Sequence, residues 1–190
     1  MRINVLNFVK KTSTGKKTLI FFLIFLAFNF LFNLFIIPQF NTYSGNISML
    51  DVSRGYDIHL AEKFITKTPK EALSFYLRCF LPVDLVFPII YALFFSFTLA
   101  FLFSKLTLKT NKIELLLLFP FLMAATDYIE NIGIAFMIVM NPKFNNVFAA
   151  VIMFFSSLKW HLGGIISLSI IITFIILMIK IIKNKFFTKK

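Results

Sequence analysis

The stretch MAATDYIENIGIAF, residues 123–136, lies inside a long apolar run yet carries Asp127, Glu130 and Asn131 within five positions. A carboxylate at the centre of a lipid-spanning helix costs about 2.5–3.5 kcal/mol on insertion scales. The i, i+3, i+4 spacing puts the three side chains on one helix face. That face must turn away from lipid and into a bundle of neighbouring helices. The fold therefore depends on whether the rest of the chain supplies those helices and partners for the polar face.

Composition says that it supplies the helices. The 190 residues are 59% hydrophobic and 15% charged, where soluble domains sit nearer half and a quarter. Four runs reach the roughly 20 apolar residues that cross a hydrocarbon core: about 18–38, 80–104, 114–140 and 146–180. The expected fold is all-α, a four-helix transmembrane bundle forming one domain over 1–190. The first run is read as an uncleaved span, since it is too long for a signal peptide and no small-x-small site follows. The 28 Phe residues are read mostly as lipid-facing bulk.

Charge sets the expected orientation. The net charge of +12 comes largely from lysines flanking the apolar runs: Lys10, Lys11, Lys16 and Lys17 before the first, and Lys180, Lys183, Lys185, Lys189 and Lys190 after the last. Lys105, Lys109 and Lys112 crowd the second connection, while the third holds only Lys143. Basic loops stay in the cytoplasm, so a cell-membrane location with both termini cytoplasmic is expected. The 39–79 loop then faces outward, and the flanking lysines suit anionic lipid. Thr68-Pro69-Lys70-Glu71 predicts a short helix within that loop, with Thr68 as N-cap and Pro69 at the first helical position, and a bend follows at Pro82. Nucleic acid is a poor partner for a chain whose basic residues lie mostly at its ends.

Several chemistries are excluded. Cys79 is the sole cysteine, so there is neither an internal disulfide nor a paired-thiol redox motif. With His59 and His161 the only histidines, ligands for haem, iron–sulfur clusters or a zinc hydrolase are lacking. No cofactor and no metal is predicted.

The other spans also supply polar partners. The fourth run carries Ser156, Lys159 and Trp160; the second carries Asp84 and Tyr91; the first carries Asn29 and Asn33. Counted at 1.5 Å per residue from the cytoplasmic ends, Asp127 lies roughly 20 Å in and Lys159 roughly 31 Å. Counted from the connection near Lys143, both are 16 residues away and level. The expected site has Asp127, Glu130, Lys159 and Asp84 in charged or catalytic roles. Asn131, Tyr91, Asn33, Asn29, Ser156 and Trp160 are expected to bind ligand. Three carboxylates against one ammonium leave an excess that low dielectric disfavours, so a proton, a cation or a ligand must balance it. Asp51, Asp57 and His59 are read as solvated loop residues, Tyr56 and Tyr76 as cavity caps or interface residues, His161 as a spectator, and Gly163-Gly164 as a point of close helix approach.

The segments PVDLVFPIIYALFF, DYIEN and SSLKW resemble a group of small four-helix bacterial membrane proteins. These share Asp-x-x-Phe-Pro-x-x-Tyr, Asp-x-x-Glu-Asn and Leu-Lys-Trp segments. The resemblance covers about 50–165 and implies weight for the cluster residues, with no activity attached. Three functions compete. One is an outward-facing site for a lipid-like or cationic ligand, with Asp127 or Glu130 as acid or base. Another is a structural subunit whose ion pairs hold the bundle. The third is proton or cation passage, which the apolar cytoplasmic halves of the helices disfavour.

Overall fold

A computed structural model describes residues 2–108, 114–140 and 144–187. Of the lysines that set the expected orientation, Lys109, Lys112, Lys143, Lys189 and Lys190 lie outside the described residues. Among the described residues helix is the only regular structure. Four helices are long and apolar enough to cross a membrane: Gly15–Ser44, Lys70–Leu106, Leu115–Val139 and Asn146–Lys185. The all-α four-helix bundle expected from the sequence is the fold.

The first span is preceded by a short helix, α1 (Arg2–Thr12), which the basic N-terminal tail does not announce. Val9 of α1 is fully buried, and Ser13 Oγ donates to the Phe97 carbonyl at 2.8 Å. The span itself is α2 (Gly15–Leu31), a π-helical turn at Phe32–Ile36, and α3 (Ile37–Ser44). Pro38 causes the interruption: it has no N–H to give to the carbonyl four residues back, and the helix widens just before it. Gly45 ends the span in the left-handed conformation, with φ of 62°, where glycine is unstrained.

The 39–79 region is more ordered than a loop with one short helix. It holds α4 (Ile58–Lys67) and α5 (Lys70–Phe75). Asp57 caps α4, its Oδ1 accepting from the Leu60 N–H at 2.8 Å. Thr68 terminates α4 and does not cap α5; Pro69 takes the N-cap position, so the predicted start is one residue early. The chain then runs without leaving helix into a second π turn at Tyr76–Phe80 and α6 (Leu81–Asp84). Pro82 follows this turn as Pro38 follows the first. A further break at Leu85–Val86 precedes α7 (Phe87–Leu106).

A 3₁₀ turn (Leu115–Leu118) leads into α8 (Phe119–Val139), and α9 (Asn146–Phe187) is a single helix of 42 residues. At 1.5 Å per residue α9 is about 63 Å long, about twice a hydrocarbon core. Helix α1 and the later turns of α9 lie at one end of the bundle. Lys10 of α1 pairs with Glu114, and Lys180 of α9 reaches the Lys105 carbonyl.

Two cores result. At the loop end, Phe40, Met49, Leu50, Phe64, Ile65 and Tyr76 are essentially inaccessible and pack on Ile134 and Ile152 of α8 and α9. At the terminal end a smaller core joins Val9, Phe97, Leu99, Leu117 and Ile166. Many phenylalanines are not lipid-facing bulk. Phe25, Phe28 and Phe32 of the first span lie against Phe87, Phe94 and Phe95 of α7 at centroid distances of 5.1–5.8 Å, a range in which ring pairs attract. The tightest glycine contact is at Gly133, where a Cβ would collide with Ile152 Cδ1. Gly163 is tight only against Met123, and Gly164 meets nothing within 4 Å. The close approach expected at the glycine pair therefore belongs to Gly133.

Candidate functional site

Lys159 sits on the face of α9 that packs on α8, and only 5% of it is accessible. Its Nζ donates to Asp51 Oδ1 at 2.7 Å and to Asp127 Oδ1 at 3.1 Å. Glu130 Oε2 lies 2.6 Å away, in charge contact without hydrogen-bond geometry. An ammonium has three donors, and here each faces a different carboxylate. The three acidic groups have oxygens within 4.8 Å of one another, a spacing suited to a metal ion; the ammonium takes that central place.

The local reasons are readable. Asp127 and Glu130 are about one helical turn apart on α8, so both meet a side chain from α9 at their level. Lys159 is 13 residues from the loop-end start of α9 at Asn146, and Asp127 is 12 from the end of α8 at Val139, about 20 and 18 Å. Counting from the connection therefore gives the true register. Counting from the other end fails because α9 runs on past the bundle, with Ile175, Ile176, Ile179 and Ile182 exposed.

Asp51 corrects the sequence reading. It is 7% accessible and paired, where its loop position predicts solvation. The segment after Gly45 folds inward beneath α4 and delivers this carboxylate to Lys159 from 108 residues away. Tyr56 comes with it and is buried beside Ser156. Burial, and then the Glu130 and Asp51 carboxylates, push the Tyr56 phenol well above its ordinary range, which keeps it protonated. Ser156 lies against Tyr56 and Glu130 without completing a hydrogen bond to either. Asp57 and His59 stay on exposed positions of α4 and its cap. Tyr76 is fully buried in the loop-end core, so it is neither a cavity cap nor an interface residue.

Asp84 is displaced in the other direction. It makes no ion pair with Lys159; its Oδ2 accepts from Asn131 Nδ2 at 2.5 Å. Tyr91, one turn into α7, donates to Asp127 Oδ2 at 2.8 Å and so fixes the carboxylate that Lys159 uses. Asn29 and Asn33 do not reach the cluster. Their amides donate to the carbonyls of Phe25 and Asn29 on their own helix, each at 2.8 Å. Serving their own backbone lets these amides sit on an apolar helix without an interhelical partner.

One cavity of about 690 Å³ runs past most of the expected site residues; Glu130, Asn131, Ser156 and Tyr56 lie outside its lining. Asp51, Arg54, Asp84, Asp127 and Lys159 form its polar end; Phe25, Phe95 and Met123 form its apolar end. The first span and α9 both line it and make no extensive contact with each other. The exposed Asn33, Gly164 and Ser167 mark the gap between them. At the loop end Arg54 lies over the Trp160 ring, 4.8 Å from its centroid. Volume and lining are those of a site for a molecule with a polar head and an apolar body.

Comparisons with family models, with curated proteins and with solved structures each return no match. They lend no support to the resemblance drawn from the motifs, and the meaning of the site rests on its geometry. Asp51 and Arg54 are the site residues that sequence reasoning misses. Their only signal is the buried lysine: one ammonium inside a membrane bundle draws every acid within reach, including one from a loop.

Proposed function

We propose that this is a multi-pass membrane protein whose cavity binds a lipid-like ligand, admitted sideways between the first span and α9, with its polar head at the Asp84–Asp127–Lys159 end. The supporting observation is a cavity in which a buried charged cluster and a phenyl-lined pocket adjoin, lined in part by two helices that make no extensive contact. The lysine-rich ends and the Lys105 connection support a cytoplasmic position for both termini, so the polar end faces the extracytoplasmic leaflet. The chemistry favours binding over reaction, because Lys159 already donates to Asp51 and Asp127 and stands in charge contact with Glu130.

The test is photo-crosslinking with a diazirine-bearing fatty alcohol on protein in nanodiscs, with labelled peptides mapped by mass spectrometry. Label on Phe25, Phe95 or Met123 is expected, and Gly164→Leu should suppress it. Gly164 lines the cavity and a Cβ there meets nothing within 4 Å, so a larger side chain has room at this position. Wild-type labelling confined to the outer surface of α9 would dispose of the proposal.

A second reading has its own observation. The three carboxylates around Lys159 would also serve as a clamp tying α8, α9 and the 45–57 segment together. On that reading Gly164→Leu has no ligand to displace, while Lys159→Met unfolds the protein.

A further inference from the structure

Asp84 is the carboxylate that the Lys159 cluster leaves over. It is 4% accessible, and among the described residues no cation lies within ion-pair distance of it. Its Oδ2 is held by the Asn131 amide. Its Oδ1 has no hydrogen bond or ion pair among the described residues, and the side chain lines the cavity.

The support around it is stiff. Asp84 ends α6, two residues after Pro82 and four before Pro88. Asn131 is completely buried, and its own Oδ1 has no partner. Its Nδ2 is given to Asp84. A neutral donor orients a carboxylate but does not balance its charge, and an isolated buried charge is costly. Charges within the site do not balance either. Four carboxylates, Asp51, Asp84, Asp127 and Glu130, face two cations, Lys159 within the cluster and Arg54 at the mouth.

The lining near Asp84 in the chain is aromatic. Phe80 and Phe87 flank it in sequence and line the same cavity, and Phe32 stands across from both, at centroid distances of 5.5 and 5.4 Å. A cavity that offers a carboxylate and phenyl rings suits an organic ammonium, which is attracted by the charge and by ring faces. An anionic head would meet the wrong sign at Asp84, Asp51 and Asp127.

We propose that Asp84 anchors the cationic head of an amine-bearing amphiphile, with Asn131 as its positioning residue and the alkyl chain running toward Phe95 and Met123. This rests on the reading of the cavity as a lipid-like ligand site and adds the class of head group.

The test uses three photoactivatable probes of equal chain length: a fatty amine, a fatty alcohol and a fatty phosphate. The full chain is placed in nanodiscs of phosphatidylglycerol, whose heads carry no amine. Wild-type protein should take the amine probe into the cavity roughly tenfold better than the phosphate. Asp84→Asn should lower amine labelling by roughly tenfold and lower the ratio of amine to alcohol labelling, with a monodisperse size-exclusion profile reporting that the variant is folded. Amine labelling that survives Asp84→Asn overturns the proposal, as does phosphate labelling equal to amine labelling in the wild type. If Asp84→Asn does not fold, the head-group order in the wild type decides alone. Cavity labelling by the alcohol without an amine preference sinks this inference and spares the general reading. Absence of cavity labelling by all three probes sinks both.

Discussion

The second and third spans and the first and fourth are all strongly apolar but differently placed. In their most apolar windows, Lys70–Leu106 and Leu115–Val139 bury 50% of their residues, while Gly15–Ser44 and Asn146–Lys185 bury 11%. Carboxylates follow this division. Asp84, Asp127 and Glu130 are on the inner pair, where protein surrounds them. The middle of the first span offers only amides, and these bond their own backbone. The fourth carries one ammonium, Lys159, within its packed stretch, between buried Ile152 and Ile166. In a membrane the cost of an unpaired charge is settled by helix neighbours and not by water, so position in the bundle decides which polar groups a span can hold.

The largest effect should come from the one charge buried on an outer span. Lys159→Met leaves Asp51, Asp127 and Glu130 without a counter-ion, and breaking a buried pair costs about 3–5 kcal/mol. Unfolding by denaturing detergent in mixed micelles would show it, and a variant as stable as the wild type would break the comparison. Next comes the contact between an inner and an outer helix. Gly133→Ala drives a Cβ into Ile152 and should cost about 1–3 kcal/mol, partly offset by adding Ile152→Val, which removes the colliding Cδ1; the same assay reads both variants. A smaller loss, about 1.5 kcal/mol, is expected for Asp51→Asn, since Lys159 keeps two acidic partners. There the sharper readout is hydrogen exchange, which should rise across residues 49–56 and stay unchanged in α8. The smallest effect belongs to the first span. Asn33→Leu removes an amide that serves only its own helix and should change stability by less than about 0.5 kcal/mol.

Much of this is open to reading in the chain. The Asp127, Glu130, Asn131 triad requires a bundle because its spacing is helical and its charge cannot face lipid, and Lys159 is the counter-charge within reach of its level. Tyr91 is legible in the same way, as a polar group on a neighbouring span. Other assignments fail for physical reasons. A loop carboxylate such as Asp51 is ordinarily solvated, and nothing local in DVSRGYD says that its segment folds inward. Depth alone groups Asp84 with Lys159, whereas the side chain opposite it is Asn131. The phenylalanines are misjudged because composition does not distinguish a ring facing lipid from one stacked on a neighbouring helix.

The amino-acid sequence by itself determined that four apolar helices must associate and that acid and ammonium groups must meet inside them, because apolar length and the expense of a lone charge are properties of residues and their spacing. Only the tertiary structure decided which acids Lys159 holds, that a loop supplies one of them, and that Asp84 is left facing a cavity between the first span and α9. Those outcomes depend on helix rotation and on the path of residues 45–57, which are set by contacts between segments distant in the chain.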